Sequence, residues 1–235
     1  MLCPKEVVGK EKILLGDYAD GSYVLLNNLE GIKIAYSFGI ANQISFDKAL
    51  ADKGIDVYMY DHTINKLPFE NAKFHWKKIG ICSESHKKLN MKTLNELLIE
   101  NGHEKEKDMI LKIDIEQNEW EILNEISFEI LNKFKYIILE LHLWNINKYE
   151  LYINCLQKLM VNHQAFHIHC CNCVGLFSIG ENLICNTLEI SYIIKEGNKF
   201  KKDNSVYPIK GFDFKTCPKK KSLDKENIIL QFCEN

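Results

Sequence analysis

The sequence predicts a single α/β domain with a doubly wound, mostly parallel sheet and helices on both faces. Three observations carry this. Strand-like apolar runs alternate with helix-like periodic segments along most of the chain; the run at 136–143 is almost continuously apolar, as suits a strand buried on both sides; and no repeat or low-complexity stretch interrupts the alternation. A length of 235 residues, 46% hydrophobic and 26% charged, suits one domain over 1–235 with a sizeable core, its regular part at about 16–195.

The elements follow in order. Residues 32–38 are a short run rich in β-formers that ends at Gly39. Segment 45–53 puts Phe46, Ala49 and Leu50 on one face and Asp47, Lys48, Asp52 and Lys53 on the other, an amphipathic helix stopped by Gly54. Residues 56–60 are a second strand ending at Asp61, and 74–82 a third, weakened by Lys77 and Lys78. In 91–101, Leu94, Leu97 and Leu98 make the buried stripe of a helix, and 102–107 is a charged turn. A fourth strand at 109–115 leads into a helix at 119–126; a fifth strand at 136–143 leads into a helix at 149–161. The last two strands are 166–173 and 188–195. From Glu196 onward lysine, asparagine and two prolines replace the pattern, so 196–235 reads as a loosely packed tail closed by the apolar segment 228–232.

Composition excludes several classes. A formal net charge of −2 lacks the basic footprint of a nucleic-acid binder, so the expected partner is small or neutral. All 30 basic residues are lysine, so no arginine fork can clamp a carboxylate or phosphate, and anion binding falls to lysine, asparagine and backbone amides. The nine cysteines are odd in number and scattered, which predicts free thiols in a reducing cytoplasm. Residues 1–6 hold no apolar signal core, and no apolar run reaches the ~18 residues of a membrane span, so no membrane insertion is expected.

Chemistry is concentrated at strand ends. The stretch Ala35-Tyr36-Ser37-Phe38-Gly39-Ile40-Ala41-Asn42 joins the first strand to the first helix, where backbone can approach a cofactor and helix amides are unpaired; an ordinary βα turn is the alternative. Asp61 ends the second strand about twenty residues after Gly39, placed to accept from both ribose hydroxyls of an adenosine-type cofactor. Because Asp61 ends a strand rather than filling the core, its loss is expected to leave folding little changed. Alternation puts Lys112, Asp114 and Glu116 on one face at the end of the fourth strand, where charges are costly to bury without partners; a solvated edge is the alternative. Glu140 and His142 likewise share a face of the fifth strand, as an acid–base pair for a substrate hydroxyl or as a structural network. Cys170 and Cys173 make one CxxC beside His167 and His169; with no second CxxC, a core strand carrying small apolar cysteines is preferred to zinc.

Together these residues resemble the FkbM-like and methyltransferase-like-24-type S-adenosylmethionine-dependent methyltransferases. The matching pieces, in the family's order, are Asp20-Gly21-Ser22-Tyr23-Val24, Tyr36-Ser37-Phe38-Gly39-Ile40 with Ser45-Phe46-Asp47, Tyr60-Asp61, Leu111-Lys112-Ile113-Asp114-Ile115-Glu116 with Glu119-Trp120, Glu140-Leu141-His142, and His169 with Asn172. The resemblance implies a Rossmann-like sheet of seven strands, the last antiparallel. It implies S-adenosyl-L-methionine across Tyr36, Ser37, Phe38, Gly39, Ile40 and Asn42, with Asp61 on the ribose and His62 and Asp114 completing the set. The sequence departs from the family at Ser22 and Gln117, where glycines are usual, and at Ser37, where an acid is common; Gln117 puts close backbone approach, and with it activity, in question.

The function expected is methyl transfer to a hydroxyl of a small molecule or glycan. Asp114, Glu116, Glu140 and His142 would hold the acceptor, and His142 would be the base. A divalent ion shared by Asp114, Glu140 and His169 is a further possibility that oxygen ligands would suit, but no metal is assigned. Two rivals are a catalytically degenerate methyltransferase-like binding module and a nicotinamide-dependent dehydrogenase, the latter wanting a fuller GxGxxG than this turn offers.

Overall fold

The computed structural model describes residues 2–17, 20–116, 118–171, 176–179 and 182–213. Its main sheet has seven strands: β1 (Ile34–Phe38), β2 (Asp56–Tyr60), β3 (Phe74–Lys77), β4 (Met109–Ile113), β5 (Phe134–His142), β6 (His163–Cys170) and β7 (Thr187–Ile194). They lie in the order β3-β2-β1-β4-β5-β7-β6, with all neighbours parallel except that β7 runs antiparallel to both β5 and β6. The helices are α1 (Ser45–Ala51), α2 (Leu94–Glu100), α3 (Glu119–Glu125), α4 (Phe128–Leu131) and α5 (Tyr149–Asn162).

Strand alternation sorts the core into two layers. Tyr36, Phe38, Leu111, Ile113, Leu139 and Leu141 face α2, α3 and α5, which contribute Leu97, Trp120, Leu123 and Leu159. Ala35, Val57, Ile110 and Ile138 face the other way, against Phe46 and Leu50 of α1 and against Leu25 and Leu26. The last two belong to an N-terminal hairpin, Lys12–Leu15 paired with Tyr23–Leu26, that the sequence reading passed over. Toward the carboxyl ends of the strands this second face turns polar, with Lys112, Glu189 and Ser191 all buried.

Several boundaries move. The third strand stops at Lys77; Gly80–Ile81 pairs instead with Met91–Lys92. The helix expected at 91–101 starts at Leu94, because Thr93 and Glu96 form a capping box that satisfies first-turn amides. The expected tail is packed over its described part: Phe200–Lys202 pairs with Lys5–Val7, Tyr207 is buried, and Asp213 reaches His167 (2.9 Å) and His169 (3.2 Å). The apolar segment 228–232 lies outside the described residues. Cys170 is not a free thiol but is disulfide-bonded to Cys185, while Cys173 lies outside the described residues; Cys3, Cys82 and Cys155 are free. No helix among the described residues is long and apolar enough to cross a membrane.

Acid should loosen the C-terminal strap. Burial raises the Asp213 carboxyl, but its hydrogen bonds to His167 and His169 outweigh that and hold it well below the usual range. Burial lowers His167 despite Asp213, so the folded state favours the neutral ring. A depressed carboxyl stabilises above its unfolded value and less as pH falls, and a depressed imidazole also resists protonation, so both signs agree. Stability should decline from about pH 6.5 downward and further below about pH 4. Amide exchange at Phe200–Lys202 should accelerate over that range ahead of the central strands.

Candidate active site

The carboxyl ends of β1, β2 and β4 meet in an open cleft of about 460 Å³. Backbone holds them together. Gly39 N donates to Tyr60 O (3.2 Å) and Asp114 N to Phe38 O (3.2 Å). Gly39 sits at φ +77°, and a Cβ there would lie 1.5 Å from the Asp114 carbonyl oxygen. Only glycine permits that contact between the β1 and β4 loops.

Asp61 clasps the turn after β1. One carboxylate oxygen accepts from the amides of Ile40 (2.9 Å) and Ala41 (2.8 Å), the other from the Thr63 amide (2.7 Å) and hydroxyl (2.6 Å). Ala41 has a left-handed φ of 46°, which the clasp helps to hold. Burial alone would raise the Asp61 carboxyl, but these four donors lower it. All four acceptor positions of the carboxylate are therefore used locally.

At the other end of the cleft, Lys112 is buried on β4. Its Nζ donates to Gly39 O (2.5 Å), Phe38 O (3.3 Å) and Asp114 Oδ2 (3.2 Å), and Tyr23 also donates to Asp114 Oδ2 (3.1 Å). Burial works to lower Lys112, yet the charges of Asp114 and Asp47 raise it overall. The ammonium stays ionised.

His142 closes β5. Its Nδ1 lies 2.7 Å from Glu119 Oε1, and its Nε2 lies 3.5 Å from both Glu140 and Glu116. Glu119 Oε1 also accepts from Ile115 N (3.1 Å), and the Trp120 indole donates to His142 O (2.8 Å), so the first turn of α3 braces the strand end. Burial would lower the imidazole, but its hydrogen bonds to Glu119 and Glu140 and their charges push it up to about 10. Both ring nitrogens of His142 thus face carboxylates, an arrangement that favours the imidazolium over the free base. Burial, reinforced by Asp114, raises Glu140 in spite of His142.

A sequence profile for the Methyltransferase FkbM domain matches residues 20–173. The chain belongs to this family. Within the FkbM domain, the cleft is lined by Gly39, Ile40, Asp61, His62, Asp114, Glu116 and Glu140 from the expected set. Tyr36, Ser37, Phe38 and Asn42 do not line it. Tyr36 and Phe38 stack with Tyr60 in the helix-facing core, Ser37 is buried in the strand, and Asn42 is exposed. Gln117 and Asn172 lie outside the described residues. His169 turns to Asp213 and away from an ion shared with Asp114 and Glu140. Asp20, Tyr23, Glu119 and Glu189 come to the site from elements to which sequence reasoning assigned no chemistry.

No curated protein matches the chain. A solved structure from Streptococcus thermophilus, named "Putative hemolysin", aligns over 75% of this chain and 72% of its own at 8% identity with a TM-score of 0.37, a likeness too small to bear on function.

Two substitutions probe the frame. Gly39→Ala should cost about 2–4 kcal/mol, since overpacking and a left-handed φ act together; urea unfolding measures it. Asp61→Ala should cost about 1–3 kcal/mol by orphaning the Ile40 and Ala41 amides, against the expectation that folding is little changed. An unaltered unfolding midpoint would show the clasp to be dispensable.

Proposed function

We propose that this chain is an S-adenosyl-L-methionine-dependent methyltransferase acting on a hydroxyl of a small molecule or glycan, on a Rossmann-like, doubly wound sheet. The observation that carries the reading is the cleft where strand order reverses between β1 and β4, the point at which open α/β sheets take their ligands. Its size falls within the roughly 300–1,000 Å³ of small-ligand sites.

The residues present fit the cofactor. Ile81 and Met91 offer an apolar wall for a flat base, and Asp61 and His62 lie where a ribose would rest. Thr63 Oγ1 is the local donor that a ribose hydroxyl would displace from Asp61. Asp114, which lines the cleft, would meet the amine of the methionine part. When bound, the cofactor supplies an electrophilic methyl group on a sulfonium. The chain's own residues then orient the acceptor and take its proton: Glu140, lining the cleft with Asp114, receives it, and the His142 imidazolium fixes Glu140 and Glu116 in place.

A second reading, a catalytically degenerate binding module, is favoured by one observation: the Asp61 carboxylate is already saturated by local donors. Calorimetric titration of the full chain separates the two. S-adenosylmethionine and S-adenosylhomocysteine should each bind at one site and NAD should not; a chain that binds neither sulfur compound is not a methyltransferase of this kind. Glu140→Gln should retain cofactor affinity and lose about 10²–10⁴ in transfer rate. Cofactor binding without transfer to any hydroxyl in a panel of sugars and small alcohols would favour the degenerate reading.

A further inference from the structure

Glu140 and Glu189 stand directly opposite each other across the antiparallel β5–β7 pair. Like charges in that register repel, and sheets avoid the arrangement unless something offsets it. Glu189 is 7% exposed, and the leading charges on it, from Glu140, Asp20, Asp114 and Asp213, are negative. Among the described residues no hydrogen bond or ion pair to its carboxylate is present. The nearby basic side chains have other partners: Lys112 has Asp114 and two carbonyls, His142 has Glu119, and His169, opposite Glu189 on β6, has Asp213. A buried carboxylate in this position is either neutralised by a cation or carried as the acid.

One oxygen each from Asp20, Glu140 and Glu189 lie within 4.8 Å of one another. Two oxygens on opposite sides of a calcium-sized ion, at about 2.3–2.6 Å each, are separated by about that distance. We propose that Asp20, Glu140 and Glu189 form a binding site for one hard divalent cation where the cleft floor meets β7. Glu189 lies beyond the stretch matched by the family profile, so the site belongs to β7 of the main sheet as much as to the FkbM domain. Oxygen-only ligands select calcium, magnesium or manganese over zinc or copper. An ion here leaves coordination positions for water or an acceptor hydroxyl.

The test uses the full chain, stripped with a chelator, exchanged into metal-free buffer and titrated calorimetrically with calcium, magnesium or manganese chloride, with no cofactor present. One equivalent of at least one ion should bind saturably, and thermal stability should rise with its concentration. Glu189→Gln and the partly exposed Asp20→Asn should each weaken binding at least tenfold, the second guarding against misfolding of the first. Wild-type protein that binds none of the three ions at millimolar concentration overturns the site, leaving Glu189 as a buried acid. Equal affinity in a folded variant overturns it too. Because the titration omits the sulfur cofactor, its failure is distinct from failure of the methyltransferase reading.

Discussion

The ammonium of Lys112, buried on the face of β4 away from α2 and α3, sets the arrangement on which the rest of the site depends. A buried cation must replace its lost hydration with fixed partners, and Lys112 finds them in the carbonyls of Phe38 and Gly39 and in Asp114. Those partners belong to the ends of two adjacent strands, so solvating the lysine also locks β1 to β4. The absent side chain of Gly39 lets the loops close to that distance. Ser37 lies opposite Lys112 in the β1–β4 register. The carboxylate that balances Lys112 from the α1 side is Asp47, buried and raised by that burial though the Lys112 charge and Ser37 act to lower it.

From this anchor the site is built outward by carboxylates in unequal settings. Asp61 faces backbone donors and is held ionised; Glu140 and Glu189 face burial and one another and are raised. Glu119 does mechanical work as well: by accepting from Ile115 N and His142 together, it couples the β4–α3 loop to the end of β5. Movement of either strand end would strip a hydrogen bond from a fully buried carboxylate, which keeps the acceptor end of the cleft stiff.

Much of this was legible because period-two alternation makes a charge inside an apolar run conspicuous. Lys112, Asp114, Glu140 and His142 stand out for that reason, and strand adjacency brings them together. Their neighbours across loops do not stand out. Glu119 reads as a helix-start acid, yet its carboxylate against Nδ1 helps to raise the His142 imidazole. Asp20 and Glu189 arrive from opposite ends of the chain. Local pattern also hid the pairing of Cys170 with Cys185, since spacing to Cys173 is a sequence fact and proximity to Cys185 is made by the fold. The Thr93–Glu96 capping box was readable and would have placed the start of α2. The strap at 200–213 was not, because its attachment rests on one aspartate meeting two histidines rather than on any apolar period.

The balance of charge at the inner end of the cleft constrains what can occupy it. Asp20, Asp114, Glu140 and Glu189 converge there, against Lys112 and the protonated His142, and Lys112 spends part of its field on carbonyl oxygens. Low-dielectric walls strengthen whatever field remains. A positive ligand is favoured over a neutral one of the same shape. In the proposed reaction the donor carries its charge on sulfur and the product has lost it, so Asp20 and Asp114, on the donor's side of the cleft lining, hold the product less tightly. A protonated His142 would hold Glu140 in place while lacking the free lone pair that would let it compete for the proton released by the acceptor.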